Sequence, residues 1–165
     1  KLNMKKIVIL LAKKAGKEIL KKFNQDKIVR IKTKSQIVTQ ADLISNKIIV
    51  AELKKKFPNF SIVSEESGTQ RKNSEYCFVV DPLDGTTNYS IGSPLFAVSI
   101  GLFKNKKPIM AIVYAPKMDV LYTAEVGKAS ELNEKKIHIS DKADINKSIL
   151  SVARLSPVKI LTPFE

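Results

Sequence analysis

The sequence has little of what disulfide-stabilised, zinc-binding or membrane-spanning proteins need. With one cysteine and one histidine among 165 residues, it can form neither a disulfide framework nor an ordinary Cys/His zinc site. Its longest apolar run, Ile7–Ala12, is far shorter than the roughly 20 residues that cross a bilayer. Lysines follow that run and no small-residue cleavage site does, so Lys1–Ala15 does not resemble a signal peptide. We expect a cytoplasmic protein with no membrane partner.

Acidic residues are also scarce, because 16 Asp and Glu face 29 Lys and Arg and leave a net charge of +13. Only Arg30, Arg71 and Arg154 are arginine, and tryptophan is absent, so arginine contacts to bases and aromatic stacking platforms are few. Two interpretations of the lysines stay open: the composition of an AT-rich genome, or a basic surface for weak RNA binding or acidic partners.

The patterning predicts an α+β fold in a single domain over residues 1–165, with two N-terminal helices packed on a largely antiparallel sheet. Apolar residues at helical spacing from Met4 to Phe23 predict the first helix. The capping pattern Thr39-Gln-Ala-Asp42 starts a second helix, which should end before Pro58. Short β-branched and aromatic runs predict the strands Phe60–Ser64, Tyr76–Val80, Phe96–Phe103, Ile109–Tyr114, Val120–Glu125, Lys136–Ser140 and Ile149–Ala153.

The few acidic residues cluster directly after two predicted strands. Glu65 and Glu66 form one cluster, and Asp81-Pro-Leu-Asp84 forms the other. Carboxylate oxygens without a soft ligand suit Mg²⁺ or Mn²⁺ better than zinc. The following segment, Gly85–Asn88, offers backbone N–H groups to an anion. The spacing therefore indicates metal-assisted phosphoryl chemistry, and the alternative is that Asp-Pro-Leu-Asp-Gly is only a capped turn.

The segment Val79–Asn88 resembles the metal-binding signature of the inositol monophosphatase family of Mg²⁺-dependent phosphatases. Ile62–Ser67 is similar to the family's G-E-E-S element, and Val38–Asp42 to its V-T-x-x-D element. Two later stretches, Pro94–Gly101 and Val113–Pro116, are similar to family strands. The resemblance implies the N-terminal half of a layered α/β sugar-phosphatase fold.

The resemblance also implies a set of metal ligands. Glu65, Asp81 and the carbonyl group of Leu83 would hold the first Mg²⁺ ion, which makes Glu65 a catalytic residue as well. Asp81 would bridge to a second ion, with Asp84 as a further ligand. Glu66 would not bind a metal ion itself but would help to hold the metal ligands in position.

For the substrate, the resemblance implies that Asp42 and Thr86 orient the attacking water. The backbone N–H groups of Gly85 and Thr86, next to Leu83, would bind the phosphate group. Lys32 matches a lysine near the metal site. Two alternatives stay open, because Asp42 also fits a pure capping role and Lys32 also fits a solvated surface residue.

The implied function is Mg²⁺-dependent hydrolysis of a small phosphomonoester such as inositol 1-phosphate. The alternatives are a bisphosphate nucleotidase or sugar bisphosphatase of the same superfamily, a non-catalytic module that binds RNA or a transcription-related partner, and a truncated product that folds poorly. The family's later W-D-x-A-x-G element has no match, since the sequence lacks tryptophan and ends at Glu165. We therefore expect the C-terminal α/β half to be absent and full activity to need it. Homodimerisation is a family expectation.

Overall fold

A helix, a hairpin and a second helix precede a mixed sheet. The computed structural model describes residues 3–25, 28–33, 36–141, 144 and 146. The helices are α1 (Met4–Lys22), α2 (Gln40–Lys56) and α3 (Thr86–Ser90). The strands are β1 (Ile28–Thr33), β2 (Gln36–Thr39), β3 (Ser61–Ser64), β4 (Gly68–Gln70), β5 (Tyr76–Asp84), β6 (Ala97–Lys104), β7 (Lys107–Ala115), β8 (Val120–Glu125), β9 (Glu131–Leu132) and β10 (Lys135–Lys136).

The strands form one large sheet and one separate hairpin. The sheet has the order β10-β9-β8-β7-β6-β5-β3-β4, and β1 pairs with β2 alone. Every pair in the sheet is antiparallel except β3 and β5, which run parallel. The α+β class with a largely antiparallel sheet is therefore confirmed.

The two long helices begin at the caps that their sequences indicate. The side chain of Asn3 accepts a hydrogen bond from the backbone N–H of Lys5 at the start of α1. At the start of α2, Thr39 and Asp42 form a capping box. Gly16 lets α1 approach the sheet closely, because a Cβ there would lie 2.7 Å from the ring of Tyr114. Among the described residues, no helix combines the length and apolarity that crossing a membrane requires.

The hydrophobic core lies between the helices and one face of the sheet. Strand residues alternate between the two faces, and those that point toward the helices are almost fully buried. Phe78, Ile100 and Ile112 are 0% exposed. The helix α1 packs on β6 and β7, whereas α2 packs on β5. We call this side of the sheet the covered face.

The strand prediction for Lys136–Ser140 is largely wrong, because β10 contains only Lys135–Lys136. Ile139 is 94% exposed, so its alternation with polar residues does not reflect a buried sheet face. The strands β2, β4 and β9 were not predicted, since they are short and carry few apolar residues. The predicted strand Ile149–Ala153 lies outside the described residues.

Candidate functional site

Parallel pairing of β3 and β5 places Glu65 beside Asp81. Ser64 at the end of β3 pairs with Val80, and the N–H of Glu65 donates to the carbonyl oxygen of Val80 at 3.1 Å. The next residue on β5 is Asp81, and the negative charge of Glu65 acts on its carboxyl group. The structure therefore brings together two acidic residues that are 16 positions apart in the sequence.

A negative charge on Asp81 is unfavourable, because its carboxyl group is poorly solvated and lies near two other carboxylates. Burial, followed by repulsion from Glu65 and Asp84, raises the pKa of Asp81 to about 8. The N–H of Leu83 donates to Oδ1 of Asp81 at 3.1 Å and partly opposes this rise. A cation placed among these carboxylates would remove the repulsion.

Asp42 links the start of α2 to the turn after β5. Its Oδ2 accepts hydrogen bonds from the backbone N–H of Thr39 at 2.7 Å and from the Thr39 hydroxyl at 2.6 Å. Its Oδ1 lies 2.9 Å from the hydroxyl of Thr86, which donates toward it and toward the carbonyl oxygen of Leu83, also at 2.9 Å. The capping contact and the contact with Thr86 thus use different oxygens of one carboxylate.

Burial raises the pKa of Asp42, which is 2% exposed, although the hydrogen bonds from Thr39 and Thr86 oppose the shift. The nearby charge of Glu66 adds to the rise. The carboxyl group is held in one orientation, because each of its two oxygens accepts a hydrogen bond, one from Thr39 and one from Thr86.

The turn after β5 is held from two sides. The hydroxyl of Ser45, on α2, donates to the carbonyl oxygen of Pro82 at 2.7 Å. Gly85 has a φ of 82°, and a Cβ there would lie 2.8 Å from the carbonyl oxygen of Leu95. Only glycine fits this combination of left-handed backbone and close approach. The turn leads directly into α3, where the N–H of Tyr89 donates to the carbonyl oxygen of Gly85 at 2.9 Å.

Two contacts at this site have no signal in the sequence. Arg30 of β1 forms an ion pair with Glu66, with Nη2 and Oε2 3.3 Å apart. The hydroxyl of Ser64, which occupies the glycine position of the family element, donates to Oδ1 of Asn46 at 2.6 Å. Both contacts join residues far apart in sequence, so no local pattern indicates them. The side chain of Lys32 lies outside the described part of the chain.

The donor set fits a hard divalent cation. Glu65, Asp81 and Asp84 have carboxylate oxygens, and the carbonyl group of Leu83 at the same turn has a neutral one, which are the oxygen types that Mg²⁺ prefers. Within the described ranges, no three His, Cys, Asp or Glu side chains stand in an arrangement that could hold a metal ion by themselves. A cation here would therefore need backbone or water oxygens in addition, as Mg²⁺ commonly does.

Comparison with known proteins places the chain in a family. A model of the inositol monophosphatase family matches residues 2–163. The Nus factor SuhB of Xylella fastidiosa is 36% identical over 147 residues, which cover 88% of this chain and 53% of that protein. The fructose-1,6-bisphosphatase/inositol-1-monophosphatase of Aquifex aeolicus is 38% identical over 148 residues, which cover 87% of this chain and 56% of that protein.

The fold is similar to that of solved structures from the same group. The crystal structure of the extragenic suppressor protein suhB from Bartonella henselae superimposes with a TM-score of 0.79 at 36% identity, over 82% of this chain and 54% of that chain. The chain thus spans about half the length of the relatives that it matches. By sequence and by fold, the chain belongs to the inositol monophosphatase family.

Proposed function

We propose that this chain carries the catalytic site of a Mg²⁺-dependent phosphomonoesterase that hydrolyses an inositol phosphate. One observation carries the proposal: the charges of Glu65 and Asp84 both act on the buried carboxyl group of Asp81 at the end of β5, and the hydroxyl of Thr86 in the following turn donates a hydrogen bond to Asp42. Family membership supports the phosphatase class.

In this proposal, Glu65, Asp81 and the carbonyl oxygen of Leu83 would hold one Mg²⁺ ion, and Asp81 with Asp84 would hold a second. When bound, Mg²⁺ makes water a stronger nucleophile near neutral pH and stabilises the negative charge on the leaving oxygen. The raised pKa of Asp81 supports the assignment, because burial and repulsion both disfavour its carboxylate form and a bound cation would offset both effects. Glu66 forms an ion pair with Arg30, which fixes the loop that carries the neighbouring ligand Glu65.

Asp42 and Thr86 orient the water. The hydroxyl of Thr86 donates toward Oδ1 of Asp42, so its lone pairs remain able to accept a hydrogen bond from water. Thr39 anchors the other oxygen of Asp42, which keeps Thr86 in this orientation. The attacking oxygen is thereby aimed at the phosphorus without a histidine.

Gly85 and Thr86 bind the phosphate through their backbone N–H groups, with Leu83 at the same turn. The first N–H groups of a helix have no acceptor within the helix, and α3 begins at Thr86. The absence of a side chain on Gly85 lets a ligand approach the backbone closely. The resemblance of Val79–Asn88 to the family signature supports this role.

A test compares two chemically identical substitutions in the purified 165-residue chain. We expect Mg²⁺ to raise the melting temperature of the wild type and of Glu134→Gln, whose side chain is exposed in the turn between β9 and β10. The Glu65→Gln variant should lose that rise. Phosphate release from inositol 1-phosphate should fall at least about 100-fold in Glu65→Gln, since even outer residues of metal sites contribute 10–100-fold.

The two readouts separate the metal site from catalysis. If Mg²⁺ stabilises both variants equally, the ligand assignment is wrong. If Mg²⁺ stabilises only the wild type and Glu134→Gln but no phosphate is released, these 165 residues bind the metal without completing the catalytic site. Release from fructose 1,6-bisphosphate instead of inositol 1-phosphate would favour the bisphosphatase alternative, which the name of the Aquifex aeolicus relative supports.

A second candidate function is binding of RNA or a transcription-related partner. The net charge of +13 and the name of the Nus factor SuhB relative favour it. RNA binding that persists above about 0.2 M salt and does not need Mg²⁺ would support this function. Loss of binding by about 0.2 M salt, irrespective of RNA sequence, would show general electrostatic attraction only.

A further inference from the structure

The two long helices hold most of the positive charge of the chain. The helix α1 contains seven lysines and one glutamate, and α2 contains four lysines together with Asp42 and Glu52. Their net charge of +8 is more than half of the chain's +13, although they contain only 36 of the 165 residues. Of the two interpretations of the lysines, this concentration favours a basic surface for a partner.

Residues of both helices line a recess of about 340 Å³, which we call the helix groove. Its lining consists of Ile7, Leu10, Leu11, Lys14, Glu52 and Lys56. The lining residues of α1 are three or four positions apart, so they lie along one side of that helix. Leu10 is 53% exposed. An apolar cavity of about 150 Å³ holds benzene, so the helix groove has room for a large apolar side chain.

Lysines surround a single carboxylate at the helix groove. Nζ of Lys14 and Oε1 of Glu52 are 3.0 Å apart, which is an ion pair that joins α1 to α2. The hydrogen bond and the charge of Lys14, followed by the charges of Lys55 and Lys56, lower the pKa of Glu52. Among the described lining residues, Glu52 alone is acidic. The rim of the helix groove therefore has an excess of positive charge.

We propose that the helix groove is the docking site for an acidic amphipathic helix of a partner protein. An apolar side chain of the partner enters the groove beside Leu10, and carboxylates on the same helix pair with Lys14 and Lys56. Helices bind in grooves through apolar anchors that recur at one-turn spacing. Opposite charges at the rim steer the partner toward the groove and select its orientation.

Three other occupants fit the helix groove less well. A second copy of this chain would bring the same basic helices and be repelled. RNA is commonly bound through aromatic or arginine side chains on which its bases stack, and the described lining contains neither. A membrane takes up apolar side chains that project into it, whereas Leu10 borders a recess.

The test selects binders from a displayed library of short amphipathic helical peptides. Each position of the polar face is Glu, Gln or Lys, and each position of the apolar face is Ala, Leu or Phe. Selection uses the purified 165-residue chain in about 0.15 M salt, where attraction between distant charges is screened. Fluorescence anisotropy then measures the dissociation constants of the selected peptides for the chain and its variants.

We expect the selected peptides to carry Glu on the polar face and Leu or Phe at one-turn spacing on the apolar face. Leu10→Asn should weaken their binding at least about 10-fold, because it removes the central apolar contact. Ile139→Asn is the matched control, since Ile139 is 94% exposed and lies outside the helices. This control should leave the dissociation constants unchanged.

A second pair of variants tests the charges at the rim. Lys14→Gln should weaken binding at least about threefold and make it less sensitive to salt, because one ion pair with the peptide is lost. Lys135→Gln removes the same charge from an exposed position on β10 and should change neither quantity.

Three outcomes overturn the proposal. The first is selection of no peptide, or of peptides that bind wild type and Leu10→Asn equally, since general attraction to a basic protein explains such binding. The second is binding of an oligouridine or of phosphatidylglycerol vesicles that Leu10→Asn abolishes, because RNA or a membrane would then occupy the groove. The third is loss of peptide binding in a chimera that continues with the remainder of the Aquifex aeolicus relative, because the rest of the family fold would then cover the groove.

None of these readouts needs Mg²⁺ or phosphate release. The docking site is therefore tested independently of the proposed catalytic function.

Discussion

The two faces of one sheet differ although they are built from the same strands. On β5, β6 and β7 the covered face presents Phe78, Ile100 and Ile112, which are 0% exposed. One residue along the chain, the opposite face of the sheet, which we call the open face, presents the half-buried Gly101 and the exposed Ala111. Large side chains on the covered face fill the space under the helices, whereas Gly101 and Ala111 on the open face are small. The difference shows that one face supplies most of the packing energy and the other remains available for contacts.

The candidate site lies where the two faces meet at the end of the sheet. Asp42 comes from α2, which packs on the covered face, and Asp81 belongs to the open face. Thr86 connects these two sides through its contact with Asp42. Substitutions on the two faces should therefore affect the site through different residues. The following predictions compare their effects on stability.

The largest expected effect compares neighbouring residues on opposite faces of β5. Phe78→Ala should lower the free energy of unfolding by about 3–5 kcal/mol, because it leaves a cavity under the helices. Val79→Ala, one residue further on the half-buried open face, should cost about 1 kcal/mol or less. Urea denaturation followed by circular dichroism measures both. Similar losses in the two variants would show that the open face is packed as tightly as the covered one.

A smaller effect is expected at the turn that joins the site to the core. Gly85→Ala should lower the free energy of unfolding by about 2–3 kcal/mol, because a Cβ would meet the carbonyl oxygen of Leu95 and alanine disfavours a φ of 82°. Gly127→Ala is the matched control. Gly127 has a φ of 78°, but a Cβ there has no neighbour within 4 Å, so its cost should be about 1 kcal/mol. Equal losses would mean that the backbone angle alone matters.

The smallest expected effect is a stabilisation that depends on pH. Because the folded chain holds the pKa of Asp81 at about 8, above the ordinary 3.8, folding favours the protonated carboxyl group. The contribution of Asp81 to stability is therefore present at low pH and is lost as pH rises from about 4 to 8. In a metal chelator, Asp81→Asn should be more stable than wild type by about 1 kcal/mol or more at pH 8.

That advantage of Asp81→Asn should shrink toward pH 4 and when Mg²⁺ replaces the chelator. Thermal melts at several pH values, with and without Mg²⁺, measure both trends. A constant difference between the two proteins across this range would show that neither burial nor its neighbours raise the pKa of Asp81.

Local sequence patterns predicted the parts of the fold that neighbouring residues determine. The apolar stripe from Met4 to Phe23 corresponds to α1, and the pattern Thr39-Gln-Ala-Asp42 corresponds to the cap of α2. The same kind of pattern failed at Lys136–Ser140, where alternation continues without a partner strand to bury it. Alternation predicts a strand only when a layer exists to cover one of its faces.

Other features depend on residues that are distant in the chain. The contact between Asp42 and Thr86 spans 44 residues, and that between Arg30 and Glu66 spans 36. No local preference indicates which distant side chains will meet, because pairing depends on how the strands and helices pack. The resemblance to a family predicted Asp42 and Thr86 as partners in one site, but it did not indicate Arg30.

The sequence by itself determined the two long helices, the strands β3, β5, β6, β7 and β8 and the acidic turn Asp81–Asn88, since propensity, capping and turn chemistry act over a few residues. Only the tertiary structure decided which face of the sheet is covered. Both faces alternate in the same way along a strand, and the packing of α1 and α2 selects one of them. The tertiary structure also set the charge state of Asp81, because its raised pKa arises from burial and from neighbours that parallel pairing of β3 and β5 brings together.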